Sequence, residues 1–132
     1  MTVINWTGIP NNIYDYVGFI YIIRNIQTGR YYIGQKKFWK RIKLPPLKGN
    51  KNKRIRQKES DWQSYWGSSE ELKKDMLKDK KYFRRHIIDC FESKPEMNYF
   101  ETKLQFQKSV LYDLMSYNKM INCRISRNQI IK

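Results

Sequence analysis

Residues 18–34 constrain the fold more than any other stretch of this chain. Gly18-Phe19-Ile20-Tyr21-Ile22-Ile23 is an apolar run rich in β-branched and aromatic residues. Arg24 to Arg30 is polar and contains Gly29, and Tyr31-Tyr32-Ile33-Gly34 is a second strand-like run. Two such runs joined by a short Gly-containing loop predict a β-hairpin. Ten residues separate Tyr21 from Tyr32, which puts one tyrosine on each strand. Tyrosine is common in strands, so the hairpin alone is compatible with two rings that only pack.

The rest of the chain supplies partners for the hairpin. Residues 1–16 read as an N-terminal arm, with Pro10-Asn11-Asn12 marking a turn. From Lys36 to Lys58 the sequence becomes a basic loop with eleven Lys or Arg and no acid, and Pro45-Pro46 and Gly49-Asn50 break any helix there. Glu59 to Gly67 is an aromatic connector. Ser68-Ser69-Glu70-Glu71 has the capping-box pattern that opens a helix over about 70–80, with Leu72, Met76 and Leu77 as its apolar stripe. Tyr82 to Phe91 predicts a third strand. After Pro95, Met97, Phe100, Leu104, Leu111, Leu114 and Met115 recur at helical spacing, predicting a helix over about 96–115. The expected fold is a single α/β domain over 1–132: a small three-stranded antiparallel sheet flanked by helices, in the order β-β-α-β-α.

Charge narrows the partner. Twenty-seven Lys and Arg against twelve Asp and Glu leave a net +15, which favours a polyanion. No apolar run approaches a membrane span, and the cations are not set on one face of an amphipathic helix, so no membrane partner is expected. Cys90 and Cys123 lack metal-ligand spacing and His86 is the single histidine, which argues against structural zinc. Free thiols in the cytoplasm of a bacterial or phage-infected cell are expected. His86 is read as a strand residue in preference to a site base.

Glu101 draws notice on the last helix. It borders the apolar face, one residue after Phe100 and four after Met97. A carboxylate there must be paired, with Lys103 or Lys108 in reach, or hold a metal.

The tyrosine pair resembles the signature of the GIY-YIG nucleases, and the chain is similar to their small phage-type, Seg-related members from about residue 17 to its end. The likeness rests on Ile20-Tyr21 with Ile23-Arg24-Asn25 after it, on Tyr32-Ile33-Gly34 followed by Lys36-Lys37, and on Glu59-Ser60-Asp61-Trp62. Tyr65-Trp66-Gly67-Ser68-Ser69, Phe83 with Arg85 and Ile87-Ile88, Glu101 and Tyr117-Asn118 extend it. One position departs: Phe19 stands where the first glycine belongs, with Gly18 one residue early. The resemblance implies a DNA endonuclease using Mg²⁺ or Mn²⁺ held by Glu101, with Tyr21 accepting the water proton and Tyr32 supporting it. It also implies an arginine on a helix about ten residues beyond the second tyrosine. Arg41 is nearest, but Pro45-Pro46 interrupts a helix there, leaving Lys36, Lys37 and Arg85 as substitutes. Asn118 matches a late asparagine that orders the site, with Asn122 as the other choice. Neighbouring cations are expected to favour a phenolate at Tyr21.

Nucleic-acid contact is expected from Lys36, Lys37, Lys40, Lys51, Lys53, Arg54, Arg56 and Arg85. The expected substrate is duplex DNA, the expected state a monomer or transient dimer, and the expected role homing or restriction of competing DNA. Two other readings remain open: a non-catalytic nucleic-acid-binding module on a degenerate nuclease fold, and a basic RNA-binding protein.

Overall fold

A computed structural model describes residues 5–49, 51 and 54–130. Short strand β1 (Trp6–Thr7) comes first, then the hairpin strands β2 (Gly18–Asn25) and β3 (Tyr31–Lys37). The loop between them closes on Asn25, whose side-chain oxygen accepts from the backbone N–H of Gln27 and Thr28 at 3.0 and 3.2 Å. Such an Asx turn, with Gly29 at φ +82°, lets the chain reverse tightly. Strands β4 (Trp39–Leu44) and β5 (Arg54–Glu59) follow, then helix α1 (Glu70–Lys78), strand β6 (Phe83–Phe91), helix α2 (Lys94–Gln107) and a last turn α3 (Arg127–Ile130).

The main sheet has the order β1-β6-β2-β3. Strand β2 lies at its centre, antiparallel to β3 (Tyr21 opposite Gly34) and to β6 (Ile23 opposite Arg85). A strand covered on both faces must be apolar on both faces, which is why Phe19–Ile23 does not alternate. Phe19, Tyr21 and Ile23 pack with Phe38, Trp62, Leu72 and Phe83 beneath α1 and the aromatic connector. Ile20, Ile22 and Ile33 pack with Phe91, Met97 and Val110 beneath α2.

The expected three strands are thus present, but the sheet gains a fourth from the segment read as an N-terminal arm. Trp6 is buried, pairs in parallel with β6 and donates its indole N–H to the Trp62 carbonyl at 2.8 Å. The basic segment expected as a loop is largely a hairpin. Phe38 is a buried pivot, and beyond it β4 pairs antiparallel with β5, from Trp39 opposite Glu59 to Leu44 opposite Arg54. Pro45, Pro46 and Gly49 fall in the connection between these strands.

Both helices differ from expectation at their ends. At α1 the cap is Ser69, accepting from Leu72 N–H at 3.2 Å, so Glu71 does not close a capping box and pairs with Arg30 instead. Leu72 is buried whereas Leu77 points to water. Helix α2 begins at Lys94, capped by Ser93, and stops at Gln107, eight residues short of the expected end. Ser109 at φ +51° turns the chain, Val110 drops into the core, and Leu111 and Leu114 are left exposed. The turn brings residues 115–118 along the open edge of β3, where Tyr31 N–H donates to the Met115 carbonyl and Tyr117 N–H to the Tyr31 carbonyl. An open sheet edge is a site of unwanted pairing, and this segment covers it. No described helix is long and apolar enough to cross a membrane.

Candidate active site

Tyr21 and Tyr32 project from adjacent strands on the face beneath α1, with ring centroids 6.2 Å apart. Tyr65 from the connector meets Tyr21 edge-on, with ring centroids 6.0 Å apart. Gly34 lies directly opposite Tyr21, and a Cβ there would fall 2.5 Å from the Tyr21 hydroxyl oxygen. Only glycine leaves room for that hydroxyl. Gly67, at φ +80°, turns the connector over the pair and delivers Ser68, whose Oγ is 2.9 Å from the Tyr32 Oη. Phe19, the residue that departs from the signature, is buried against Trp6 and Phe38 with centroids at 5.1 and 4.8 Å. It fills core space and leaves the Tyr21 ring in the pair.

The electrostatics of Tyr21 reverse one expectation. Burial raises its pKa well above 10, and Tyr32, Tyr65 and Glu101 push in the same direction. Burial raises Tyr32 as well. Both are neutral phenols at physiological pH, and cation-driven ionisation does not occur in this setting.

Glu101 lies on α2, against the opposite face of the sheet, yet near enough for its charge to be felt at both tyrosines. It belongs to a polar stripe of Lys94, Asn98, Glu101 and Gln105, whose steps of four, three and four residues hold one face of a helix. The stripe runs along β3. Gln35 donates to Asn98 at 2.7 Å and accepts from the Lys94 ammonium at 2.9 Å. Gln105 donates both to the Ile33 carbonyl at 3.1 Å and to Glu101 Oε1 at 3.2 Å. Burial pushes the Glu101 carboxyl up to about 7, against the opposing pull of Lys94, Gln105 and Gln35. Its Oε2 is buried without a hydrogen-bond partner.

Asn118 holds the strand that carries Tyr32 and Gly34. Its side-chain oxygen accepts from Ile33 N–H at 3.0 Å and its amide donates to the Ile33 carbonyl at 2.8 Å, as a neighbouring strand would. Asn122 accepts from the Thr102 hydroxyl through its backbone carbonyl at 3.4 Å.

Arg41 is on exposed strand β4, not on a helix. With Lys36, Lys37, Lys40, Lys94 and Gln35 it lines an open groove of about 480 Å³. Lys36 is engaged there, 2.7 Å from Asp61 and over the Tyr65 ring at 4.2 Å. Lys51, Arg54 and Arg56 are exposed, and Lys53 lies outside the described residues.

Arg85 is corrected outright. It is buried between Trp66 and Trp6, with its guanidinium 4.0 and 4.7 Å from their ring centroids, and donates to the carbonyls of Gln63 and Tyr65. It orders the connector beneath Tyr65 and is unavailable to a nucleic acid. Burial lowers its pKa to about 10, so it stays charged. His86 is a strand residue whose Nδ1 meets the Thr7 hydroxyl at 2.8 Å.

The donor set suits a hard cation only in an economical way. Among the described residues no group of three or more His, Cys, Asp or Glu comes together. Glu101 Oε2 remains as a single unsatisfied carboxylate oxygen, which fits Mg²⁺ completing its shell with water and phosphate oxygens.

Nothing in the sequence signals a role for Gln35, Lys94, Asn98 or Gln105, and Ser68 figures there only in a helix-start pattern and in the family likeness. The polar stripe on α2 was visible as a spacing, but its meaning depends on the edge of β3 lying beside it.

Neither the curated proteins nor the solved structures contain a match to this chain. Residues 4–122 match the family described as "Putative endonuclease segE, GIY-YIG domain". The match spans the hairpin, the connector with Ser68, and the helix that carries Glu101. The chain belongs to the segE-type GIY-YIG endonuclease domain family.

Proposed function

We propose that this protein is a Mg²⁺- or Mn²⁺-dependent endonuclease that hydrolyses phosphodiester bonds in duplex DNA. The observation that carries the reading is Glu101, whose buried Oε2 has no hydrogen-bond partner and whose charge is felt at both tyrosines and at Lys94 in the cation-lined groove. Structures seldom leave a carboxylate oxygen buried and unsatisfied without a ligand to receive.

In hydrolysis the attacking water oxygen forms a bond to phosphorus and one ester P–O bond breaks. The proton released by the water is balanced by one taken up by the leaving alkoxide. Glu101 would hold the divalent ion, which would supply positive charge at the phosphate oxygens. Tyr21, as a neutral phenol, orients the water and accepts its proton only as its own hydroxyl proton is passed to bulk water, from which the leaving alkoxide is reprotonated. Tyr32 is held for the same relay by Ser68. Asn118 and Gln105 fix the Ile33 backbone and hence the spacing of Tyr32 and Gly34 from the carboxylate. Lys40, Arg41, Arg54 and Arg56 on the exposed hairpin track the phosphate backbone.

The biological role we assign is homing or restriction of competitor DNA in a bacterial or phage-infected cell, following the chain's likeness to small phage-type nucleases. Supercoiled plasmid with Mg²⁺ tests the activity. The wild type nicks or cuts it, and EDTA or Glu101→Ala abolishes the reaction. Equal nicking by both proteins, insensitive to EDTA, refutes the mechanism. The high pKa of Tyr21 favours a second reading, a binding module without catalysis. That module binds duplex with the same salt dependence and leaves every substrate intact.

A further inference from the structure

We infer that Lys94 is the residue that carries positive charge to the scissile phosphate, with its ammonium against a non-bridging oxygen. The inference rests on the endonuclease reading above.

Phosphodiester hydrolysis passes through a pentavalent phosphorus whose equatorial oxygens gain negative charge, and a fixed cation at that point lowers the barrier. The hairpin arginines Arg41, Arg54 and Arg56 are exposed surface charges. Lys36 is already neutralised by Asp61 at 2.7 Å, and Arg85 is enclosed by Trp6 and Trp66. Lys94 differs from these in three respects. It stands seven residues before Glu101 on α2, two turns away on the same face, and its charge is felt at that carboxylate more than any other. Its ammonium is aimed by one hydrogen bond to a neutral amide, Gln35 Oε1 at 2.9 Å, which leaves donors over. Among the described residues it forms no ion pair, although it is half-buried and close enough to Lys37 to be repelled by it.

The attraction of Lys94 to Glu101 stops short of an ion pair, and a half-buried ammonium beside a second cation, with no carboxylate in contact, gains when an anion arrives. The groove lined by Gln35, Lys37, Arg41 and Lys94 is open to solvent and suits a phosphate of an extended backbone. Gln35 sits one residue beyond Gly34, so the strand that presents Tyr32 also aims the ammonium.

The test uses the full chain, supercoiled plasmid and saturating protein in single-turnover reactions with Mg²⁺. Lys94→Met should lower the rate by about 10²–10³-fold, as loss of one transition-state donor does. Its affinity for a duplex oligonucleotide in EDTA should change by less than about tenfold, with the salt slope falling by about one contact. Lys94→Arg should recover at least a tenth of the wild-type rate. Lys94→Ala should be accelerated by added propylamine at fixed pH and ionic strength and not by propanol, a response that a packing role does not produce. If wild type cuts and Lys94→Met cuts within threefold of it, the inference is wrong while the endonuclease reading stands. If the variants are slow but neither arginine nor amine restores rate, Lys94 is structural only and the inference is again overturned. If wild type cuts nothing under any divalent ion, the endonuclease reading fails and takes this inference with it.

Discussion

Replacing Glu101 with Gln should make the metal-free protein more stable above pH 7 while removing its cleavage activity. The carboxyl ionises near 7 in the folded chain against an ordinary value of 4.5, with burial as the leading cause. Each tenfold in proton affinity is worth about 1.4 kcal/mol. The raised value therefore favours the fold in full below about pH 4.5, and that contribution disappears as pH rises through 7. Between pH 5 and pH 8 the loss amounts to about 2.5 kcal/mol, reduced to about 2 kcal/mol by the carboxyl's partial access to solvent. Glutamine keeps the acceptor for Gln105 and never ionises, so it escapes the loss. Urea unfolding in EDTA should show near-equal midpoints for the two proteins at pH 5. At pH 8 the variant midpoint should lie about 1 M higher, for a slope of about 2 kcal/mol/M. Saturating Mg²⁺ should narrow the gap at pH 8 by stabilising only the wild type. A difference between variant and wild type that stays constant from pH 5 to pH 8, within about 0.5 kcal/mol, would refute the claim that an ionised, poorly solvated carboxylate is held in the fold.

Cleavage at limiting Mg²⁺ should fall about tenfold per pH step below 7, because the ion binds the ionised carboxylate; a flat rate from pH 8 to pH 5.5 would exclude Glu101 as the ligand. Tyr21→Phe should leave duplex affinity nearly intact and reduce the single-turnover rate by about 10²-fold or more, and a wild-type rate would make Tyr21 a packed ring only. Gly34→Ala should cost about 1–3 kcal/mol in urea unfolding and depress activity with it, since the added methyl meets the Tyr21 hydroxyl in a packed core. Neutralising Lys40, Arg54 and Arg56 together should flatten the salt dependence of binding by about three contacts, measured by titration across a salt series. Arg85→Leu should leave that slope unchanged and lower stability by about 2–4 kcal/mol, because the carbonyls of Gln63 and Tyr65 lose their donor.

Local pattern alone determined the hairpin, the tyrosine on each of its strands, the third strand and the positions of two helices. It also marked Glu101 as a carboxylate in an unusual place. These properties follow from side-chain size, branching and spacing, which act over a few residues and leave a readable period. Tertiary structure decided what the same residues do. Arg85 and Arg54 are chemically alike in the sequence; one is enclosed by Trp6 and Trp66 and the other stands in water, because β6 is inside the sheet and β5 is in a separate exposed hairpin. The long helix ends at Gln107 in spite of the leucine spacing beyond it, because the open edge of β3 is better covered by residues 115–118. Cations are plentiful along the chain, yet Tyr21 stays protonated because desolvation inside the core outweighs charges beyond it. Lys94 lay ahead of the expected helix start and Gln105 looked like an ordinary helix residue until α2 was laid along β3. Burial and neighbours set ionisation and availability, and both depend on which segments of the chain come to lie side by side.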